Sequence, residues 1–302
     1  MKTKNFDLRI FLTLALFLMV IVGFAQNKPE TKAYLIETKD GNSYTGQIVT
    51  SDSVKVIFNA GKLGEITLQQ SDIKKMEPLN AKQLKGNKYW FDNPQSTRYF
   101  FSPNGYGLKK GEGYYQNIWV LMNSFAVGIN DYISVGGGLV PLFLFGGAPT
   151  PVWITAKVSV PVTKDKFNVG AGILAATALG ESSGGIGIFY GIATLGSRDQ
   201  NVSLGIGYGF SGGSVSNTPI LNLNGMLRVG ARSYLLSENY FFTDGSSDAG
   251  IIMIGGRQII KNAGLDYGLM MPVGTGVGSF VAAPWLGIRF RLGREKCDNV
   301  EM

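Results

Sequence analysis

The sequence predicts an all-β protein, in which an antiparallel up-and-down transmembrane β-barrel of about 12 strands follows a small β-domain. Three observations predict this class. The 302 residues include 42 Gly, 18 Phe and 13 Tyr but only 16% charged residues, whereas soluble domains carry about a quarter. Beyond residue 95, extended segments of about 9 to 13 residues, enough for a tilted strand to cross hydrocarbon, alternate with turn signals. None is an apolar run of about 18 residues, the length of a spanning helix.

The N-terminus, residues 1–25, is predicted to be a signal peptide. Basic residues from Lys2 to Arg9 precede an almost unbroken apolar run over 10–22. Gly23-Phe24-Ala25 then places small residues at the positions that signal peptidase reads. The alternative is an uncleaved membrane anchor, but the apolar run is short for a span. We therefore expect an exported protein.

The expected boundaries follow from changes in composition along the chain. They are 1–25 for the signal peptide, 33–78 for a small periplasmic β-domain, 79–95 for a polar linker, 96–293 for an outer-membrane β-barrel and 294–302 for a tail.

The small domain is predicted to contain five short strands between residues 34 and 77. Asp40-Gly41 is a hairpin signal for a type I′ turn, and apolar residues alternate over 54–58. With Gly46-Gln47-Ile48 and Ile73, these features make the segment similar to a small Sm-like or SH3-like barrel. The resemblance implies the fold only.

Sm-type proteins bind RNA through Asn and Arg-Gly positions. The matching places here hold Asn59-Ala60-Gly61 and Asp72-Ile73-Lys74, so RNA binding does not carry over. We expect the domain to be a periplasmic spacer or packing module.

Twelve extended segments are predicted in the barrel region, with tight polar turns at every second connection. The segments are 96–102, 114–127, 132–146, 151–162, 166–178, 185–196, 201–212, 218–229, 233–242, 249–260, 263–272 and 280–292. The tight turns are Asn130-Asp131, Lys164-Asp165, Arg198-Asp199, Ala231-Arg232 and Lys261-Asn262. The remaining connections, such as 103–113 and 212–217, are longer, as expected of external loops. Aromatic clusters near strand ends, including Tyr99-Phe100-Phe101, are expected to form interfacial girdles.

Alternation assigns faces to the strands. In the predicted last strand, Leu286, Ile288 and Phe290 share one face, and Arg289 and Arg291 share the other. An arginine at the bilayer midplane costs about 2–4 kcal/mol, so these arginines are expected to face the lumen. Several other strands are apolar on both faces, which predicts a narrow lumen filled by side chains. The same reasoning turns Leu221, Leu223, Leu227, Ile154, Ala156, Val158 and Val160 outward and Asn222, Asn224, Arg228, Thr155, Lys157 and Ser159 inward.

A soluble β-sandwich is the alternative fold, but its outer surface would be unsuitably apolar. The barrel region resembles uncharacterised outer-membrane β-barrel proteins found after short soluble domains in Gram-negative envelopes. The resemblance is carried by Arg98-Tyr99-Phe100-Phe101, residues 109–117 and residues 130–137. It implies location and architecture and transfers no activity. The tail from Arg294 is a departure, because such barrels commonly end on an aromatic residue.

The sequence contains no histidine, so it cannot build a Ser-His-Asp or Cys-His site. Cys297 is the only cysteine, which excludes a thiolate metal cluster and an internal disulfide. We therefore expect a protein that is not an enzyme, with no catalytic residues, no metal and no cofactor.

The charged residues expected inside the barrel form a predicted lumen network. Glu238 and Asp266 are the acids placed within strands, and arginines are their expected partners. A structural charge network is the expected role, and a catalytic or gating role is the alternative. The network consists of Arg98, Lys157, Arg228, Glu238, Arg257, Asp266, Arg289 and Arg291.

Two functions fit this sequence. The first is a structural or passive-transport barrel whose basic lumen favours anions. The second is a binding module, in which the N-terminal domain holds a periplasmic protein partner through exposed strand edges and the barrel anchors it. Both place the chain in the outer membrane of a Gram-negative cell, in contact with lipid and lipopolysaccharide and not with nucleic acid. Lys109-Lys110, in the first long connection, is a candidate contact to lipopolysaccharide phosphates.

Overall fold

A computed structural model describes residues 33–79, 84–85, 88–181, 184–243, 248–260, 263–274 and 281–293. The predicted signal peptide, the tail with Cys297 and the turn Lys261-Asn262 lie outside the described residues. The described chain divides into two compact units: the smaller contains the described residues up to Asp92 together with Gly230–Arg232, and the larger contains the rest.

The described part of the smaller unit contains a five-stranded antiparallel sheet. Its core is the fully buried cluster of Ile36, Val56 and Phe58. This confirms the five predicted strands. The strands are β1 (Ala33–Thr38), β2 (Ser43–Ser51), β3 (Lys55–Asn59), β4 (Glu65–Gln69) and β5 (Ile73–Leu79), in the order β4-β3-β2-β1-β5.

The turns of this sheet are fixed by aspartates. At the β1–β2 turn only Gly41 has a positive φ, of 89°, while an Asp40 carboxylate oxygen accepts from Asn42 Nδ2 at 2.7 Å. The predicted type I′ turn is therefore wrong, because it requires positive φ at both central residues. At the β2–β3 turn the backbone amides of Lys55 and Val54 donate to Asp52 Oδ1 and lower the pKa of that carboxyl.

The linker expected over 79–95 contains a short hairpin, formed by β6 (Leu84–Lys85) and β7 (Lys88–Tyr89). Its two-residue strands are too short to give a periodic pattern, which explains why the sequence showed none.

The described residues of the larger unit form a closed antiparallel barrel of twelve strands, which confirms the predicted fold class. Strand β19 pairs with β8, from Gly287 opposite Ile118 to Leu292 opposite Gly113, and this pairing closes the sheet. The strands are β8 (Gly113–Ile118), β9 (Met122–Gly128), β10 (Ile133–Leu139), β11 (Thr150–Thr163), β12 (Phe167–Leu179), β13 (Ile186–Gly196), β14 (Gln200–Ser211), β15 (Ser214–Arg228), β16 (Ser233–Thr243), β17 (Asp248–Ile260), β18 (Ala263–Gly274) and β19 (Ala283–Leu292).

Two predicted segments at the start of the barrel are wrong. Residues 96–102 are not a barrel strand, and the segment 114–127 is two strands, β8 and β9. The chain reverses at Trp119 and Val120, which have φ of 52° and 66°. Left-handed backbone is uncommon for non-glycine residues and unfavourable for a β-branched one, so the sequence carries no turn signal there.

Two further boundaries differ from the prediction. The segment 132–146 ends as a strand at Leu139 and continues as a short helix, α1 (Pro141–Phe145), because Pro141 has no N–H for a strand ladder. The connection expected over 212–217 consists of only two residues, Gly212 and Gly213, both with positive φ. No helix among the described residues is long and apolar enough to cross a membrane.

Exposure agrees with the predicted faces in β11 and β19, while in β15 Leu223, which was expected to face outward, is only 6% exposed. In β11, Ile154 is 68% exposed and Lys157 only 8%. In β19, Leu286, Ile288 and Phe290 are exposed, while Arg289 is completely buried. Alternate residues of the wall therefore point to an apolar outside and a polar inside.

The predicted tight turns that the structure describes lie at the end of the barrel where β8 begins and β19 ends; we call this the terminal end. Two equally short connections, 119–121 and Gly212-Gly213, lie at the opposite end. The described connections there are 129–132, 164–166, 197–199 and 229–232, as predicted. Asn130 shows how they form, since its Oδ1 accepts from the amides of Tyr132 and Ile133 at 2.8 and 2.7 Å. Lys110 also lies here, because its amide donates to Asp131 Oδ1. The expected external connection 103–113 is therefore wrong.

Gly46→Ala is expected to destabilise the small sheet by about 1–3 kcal/mol. A Cβ at this position would lie 1.8 Å from the backbone oxygen of Asn59, so strand β2 would have to move away from β3. Limited proteolysis of the full chain measures the effect, with heat-modifiable gel migration reporting an intact barrel. Gly41→Ala is the control: its Cβ meets nothing within 4 Å, and only about 1 kcal/mol of left-handed strain is expected. Equal protease resistance of Gly46→Ala and wild type would contradict the close packing.

Candidate functional site

Residues 93–108, the lumen segment, lie inside the barrel and not in its wall. Tyr99 and Phe100 are completely buried, so the prediction that they belong to an interfacial girdle is wrong. The segment is folded on itself by turns: the Tyr99 amide donates to Ser102 O and the Asn104 amide to Thr97 O, both at 3.0 Å. The lumen is thus filled by a stretch of backbone, in addition to the side chains that the sequence led us to expect.

A buried ion cluster on β17–β19 holds the start of the segment. Arg257 and Asp266 are directly opposite each other on β17 and β18, with Nε and Oδ1 2.7 Å apart. Arg289 Nη2 lies 3.0 Å from Asp266 Oδ2, and all three side chains are completely buried. One carboxylate therefore accepts from two guanidinium groups, which leaves several N–H donors to bind other acceptors.

Some of those donors bind carbonyl groups of the lumen segment, whereas Arg289 Nε and Nη1 have no hydrogen-bond partner among the described residues. Arg257 Nη1 donates to Gln95 O at 2.6 Å, and its Nη2 donates to Tyr99 O at 2.8 Å. Arg289 Nη2 donates to Phe100 O. The cluster is therefore both an ion pair network and the receptor for the backbone of the segment.

Glu238 on β16 binds amides of the same segment. Its Oε2 accepts from the N–H groups of Phe101 and Ser102 at 2.9 and 3.0 Å, and its Oε1 accepts from Tyr240 Oη at 2.7 Å. The sequence predicted arginine partners for both acids. That is correct for Asp266, whereas the hydrogen-bond partners of Glu238 here are backbone amides and a tyrosine.

Lys157 on β11 binds the second half of the segment. Its Nζ donates to Asn104 O at 3.1 Å and to Tyr106 O at 2.6 Å. Arg98, which was predicted as a wall residue, is part of the segment itself. Its Nη1 donates to Phe101 O at 3.2 Å, and its guanidinium lies 5.8 Å from the centre of the Tyr114 ring.

The two remaining predicted network residues lie apart from the central cluster. Arg228 pairs with Asp199 at 2.7 Å, and Arg291 pairs with Glu112 at 3.3 Å. Both acids belong to the connections at the terminal end. The predicted network thus separates into a central group that holds the lumen segment and two peripheral ion pairs.

Sequence reasoning missed several polar contacts to the segment. Arg198, predicted as a turn residue, donates from Nη2 to Gly107 O at 2.8 Å. Thr194 Oγ1 accepts from the Gly105 amide at 2.7 Å, and Tyr99 Oη lies 2.6 Å from both Asn201 Oδ1 and Ser203 Oγ. The only available signal was the inward register of Thr194 and Ser203, which does not reveal what they contact.

Within the described ranges, no group of three or more Cys, His, Asp or Glu side chains comes together in a way that could hold a metal ion.

No family model matches the sequence, and no curated protein matches it. Among solved structures, the chain is similar to one described as "KdgM porin", with 10% identity and a TM-score of 0.43 over 59% of this chain and 98% of that chain. A second, "KdgM porin in complex with disordered oligogalacturonate", has 9% identity and a TM-score of 0.41 over 60% and 97%. A third, described as "Unveiling the Mechanism Behind the in-meso Crystallization of Membrane Proteins", has 10% identity and a TM-score of 0.41 over 62% and 84%. Similarities this low assign neither a family nor an activity.

Asp266→Asn is expected to lower the free energy of unfolding by about 3–5 kcal/mol, because it leaves two buried guanidinium groups without a counter-charge. Asp199→Asn is the matched control. It changes an ion pair in which Asp199 is 41% and Arg228 5% exposed and in which Asp199 also accepts from Tyr234 Oη, so a smaller loss of about 1–2 kcal/mol is expected. The measurement is the temperature at which heat-modifiable migration is lost. Equal midpoints for the two variants would argue against a stabilising central cluster.

Proposed function

We propose that this chain is an outer-membrane β-barrel protein with a passive, porin-like role, and that the lumen segment keeps its pore closed in the resting state. The observation that carries the proposal is the closed barrel, whose interior polar groups bind residues 93–108. In this proposal the barrel is not catalytic, and its N-terminal unit lies in the periplasm.

The outer face of the barrel supports a membrane location. Exposed apolar side chains recur along its strands, and a surface of this kind is rare on soluble monomers. A closed barrel also satisfies the backbone hydrogen bonds of its wall internally, as the hydrocarbon region requires. The exposed residues include Ile154, Val158, Ile186, Phe189, Leu204, Leu221, Leu235, Ile254, Leu269, Leu286 and Phe290.

The wall charges support anion preference once the segment is displaced. Lys157, Arg257 and Arg289 contribute three buried positive charges to the described wall, and Glu238 and Asp266 contribute two negative ones. Rings of Arg and Lys side chains favour anions in pores. We therefore propose that the narrow, basic lumen favours the passage of anions over cations.

The lipid and lipopolysaccharide contacts are also part of the proposal. Lys109-Lys110 does not support them, because it lies near the terminal end, beside Asp131, where the tight turns are. Any lipopolysaccharide contact is assigned to the opposite end of the barrel.

Replacing residues 95–106 by a Gly/Ser sequence of equal length is expected to convert a closed barrel into a conducting one. The change removes the carbonyl and amide groups that the wall binds, so water and ions can enter. Planar bilayers measure the result: wild type shows no steps at low voltage, and the variant shows steps with a reversal potential that indicates anion preference. Heat-modifiable migration confirms that both are folded. A folded variant without conductance would remove the pore from the proposal.

Val158→Arg is expected to lower the free energy of unfolding in lipid vesicles by about 2–4 kcal/mol, the cost of an arginine at the bilayer midplane. Val158 is 48% exposed on the outer face of β11. The matched control is Val49→Arg, at a position in β2 that is 50% exposed; there the expected change lies within about 0.5 kcal/mol. Denaturant titration of the vesicle-bound protein gives both values. A neutral Val158→Arg would contradict lipid contact at this face.

A second role is proposed for the small sheet, which would hold a periplasmic protein. In the sheet order, β4 is an edge strand that pairs only with β3 among the described strands. Such an edge can accept a strand from a partner. Pull-down with the full chain tests this role. Residue 65 lies outside the barrel strands, so Glu65→Pro leaves the barrel unchanged. It is expected to abolish capture of the partner protein, because proline removes a backbone N–H donor from the edge strand.

A further inference from the structure

A small cavity lies between the lumen segment and the barrel wall, and its charge is not balanced by any residue that lines it. Arg98 of the segment and Lys157 of β11 line it together. The polar residues around them are Thr97, Tyr114, Ser134, Thr155 and Tyr190. None of the described lining residues is an acid, so the cavity has two cationic side chains and no carboxylate.

Lys157 has an incomplete set of partners. Its side chain is 8% exposed, and its Nζ donates to two neutral carbonyl oxygens. An ammonium group carries three N–H donors, and the third has no acceptor among the described residues. Arg98, which lines the same cavity, is also positive.

Arg98 is partly exposed and also has no charged partner among the described residues. Its only hydrogen-bond acceptor there is the neutral Phe101 O, and its guanidinium also lies over the Tyr114 ring. A buried cation such as Lys157 is costly unless it is paired with a counter-charge. Asp266 and Glu238 do not supply one, because they bind Arg257, Arg289 and backbone amides elsewhere in the lumen.

We propose that a small monovalent anion of about chloride size binds in this cavity between Arg98 and Lys157. It would accept the third N–H of Lys157 and receive hydroxyl donors from the surrounding wall. Ser134 Oγ is suited to this, since it accepts the Leu108 amide at 3.1 Å and keeps its own proton to donate. Because Arg98 belongs to the segment and Lys157 to the wall, the anion connects the two.

The inference goes beyond the proposed function and depends only on the position of the lumen segment. A barrel that never conducts would leave it intact, and a conducting variant would not establish it. The two proposals therefore fail in different experiments.

The test is the midpoint temperature of heat-modifiable migration for the full mature chain in detergent, measured in sodium chloride and in sodium gluconate at equal ionic strength. Gluconate is too large for the cavity. An anion that binds only the folded state raises its stability by mass action, and a rise of roughly 3–6 °C in chloride is expected for saturating binding. Equal midpoints in the two salts would overturn the proposal.

Three variants complete the test. Lys157→Met and Arg98→Gln are each expected to abolish the difference between the salts, while Lys164→Met, at an exposed turn residue, is expected to retain it. If Lys157→Met does not fold, Arg98→Gln decides the result, because it changes the segment and leaves the wall intact. A salt difference that persists in Arg98→Gln would overturn the site. Crystals soaked in bromide should show an anomalous peak beside Lys157 Nζ, and bromide found only elsewhere would also overturn it.

Discussion

The structure of the barrel interior depends on one shared carboxylate. Asp266 accepts from both Arg257 and Arg289, and all three groups are completely buried. Buried ions are costly unless they are paired and hydrogen-bonded. Arg257 and Arg289 also donate to carbonyls of residues 95–100, so the ion cluster binds the backbone of the lumen segment, while Arg289 Nε and Nη1 have no hydrogen-bond partner among the described residues.

The same constraint explains the rest of the inner wall. The lumen segment is irregular, so its amides and carbonyls cannot form a strand ladder and need partners from elsewhere. Glu238 takes two amides, Thr194 takes one, and Lys157 takes two carbonyls. Acids and hydroxyls in the wall therefore face N–H groups, and cations face oxygens. The polar residues of the strands therefore complement the hydrogen-bonding groups of the backbone that they enclose.

Much of the wall could be predicted from the sequence, because its signals are local. Alternation along β11 and β19 placed Lys157 and Arg289 inside, and short polar turns such as Asn130-Asp131 marked the terminal end. The strand count was correct only because two errors cancelled: residues 96–102 were counted as a strand, and β8 and β9 were counted as one.

The lumen segment could not be predicted in this way. Its Tyr99-Phe100-Phe101 run has the composition of a strand end at a membrane interface, and nothing local distinguishes the two. Its partners lie far away in the chain, as with Phe100 and Arg289. The turn at Trp119 and Val120 was missed for a related reason: it is fixed by contact with another strand, since Trp119 Nε1 donates to Pro284 O at 2.8 Å.

The place of the lumen segment in chain order has a consequence for assembly. Residues 93–108 precede the first barrel strand, while their strongest contacts lie on the last three, and β19 then joins β8 to complete the ring. Pro94 lies beside Gly264 and Lys110 beside Asp131, both at the terminal end, so the segment enters and leaves the lumen through the same mouth. Its contacts with Arg257 and Arg289 can form only once β17 and β19 are in place, which makes docking of the segment a late step of folding.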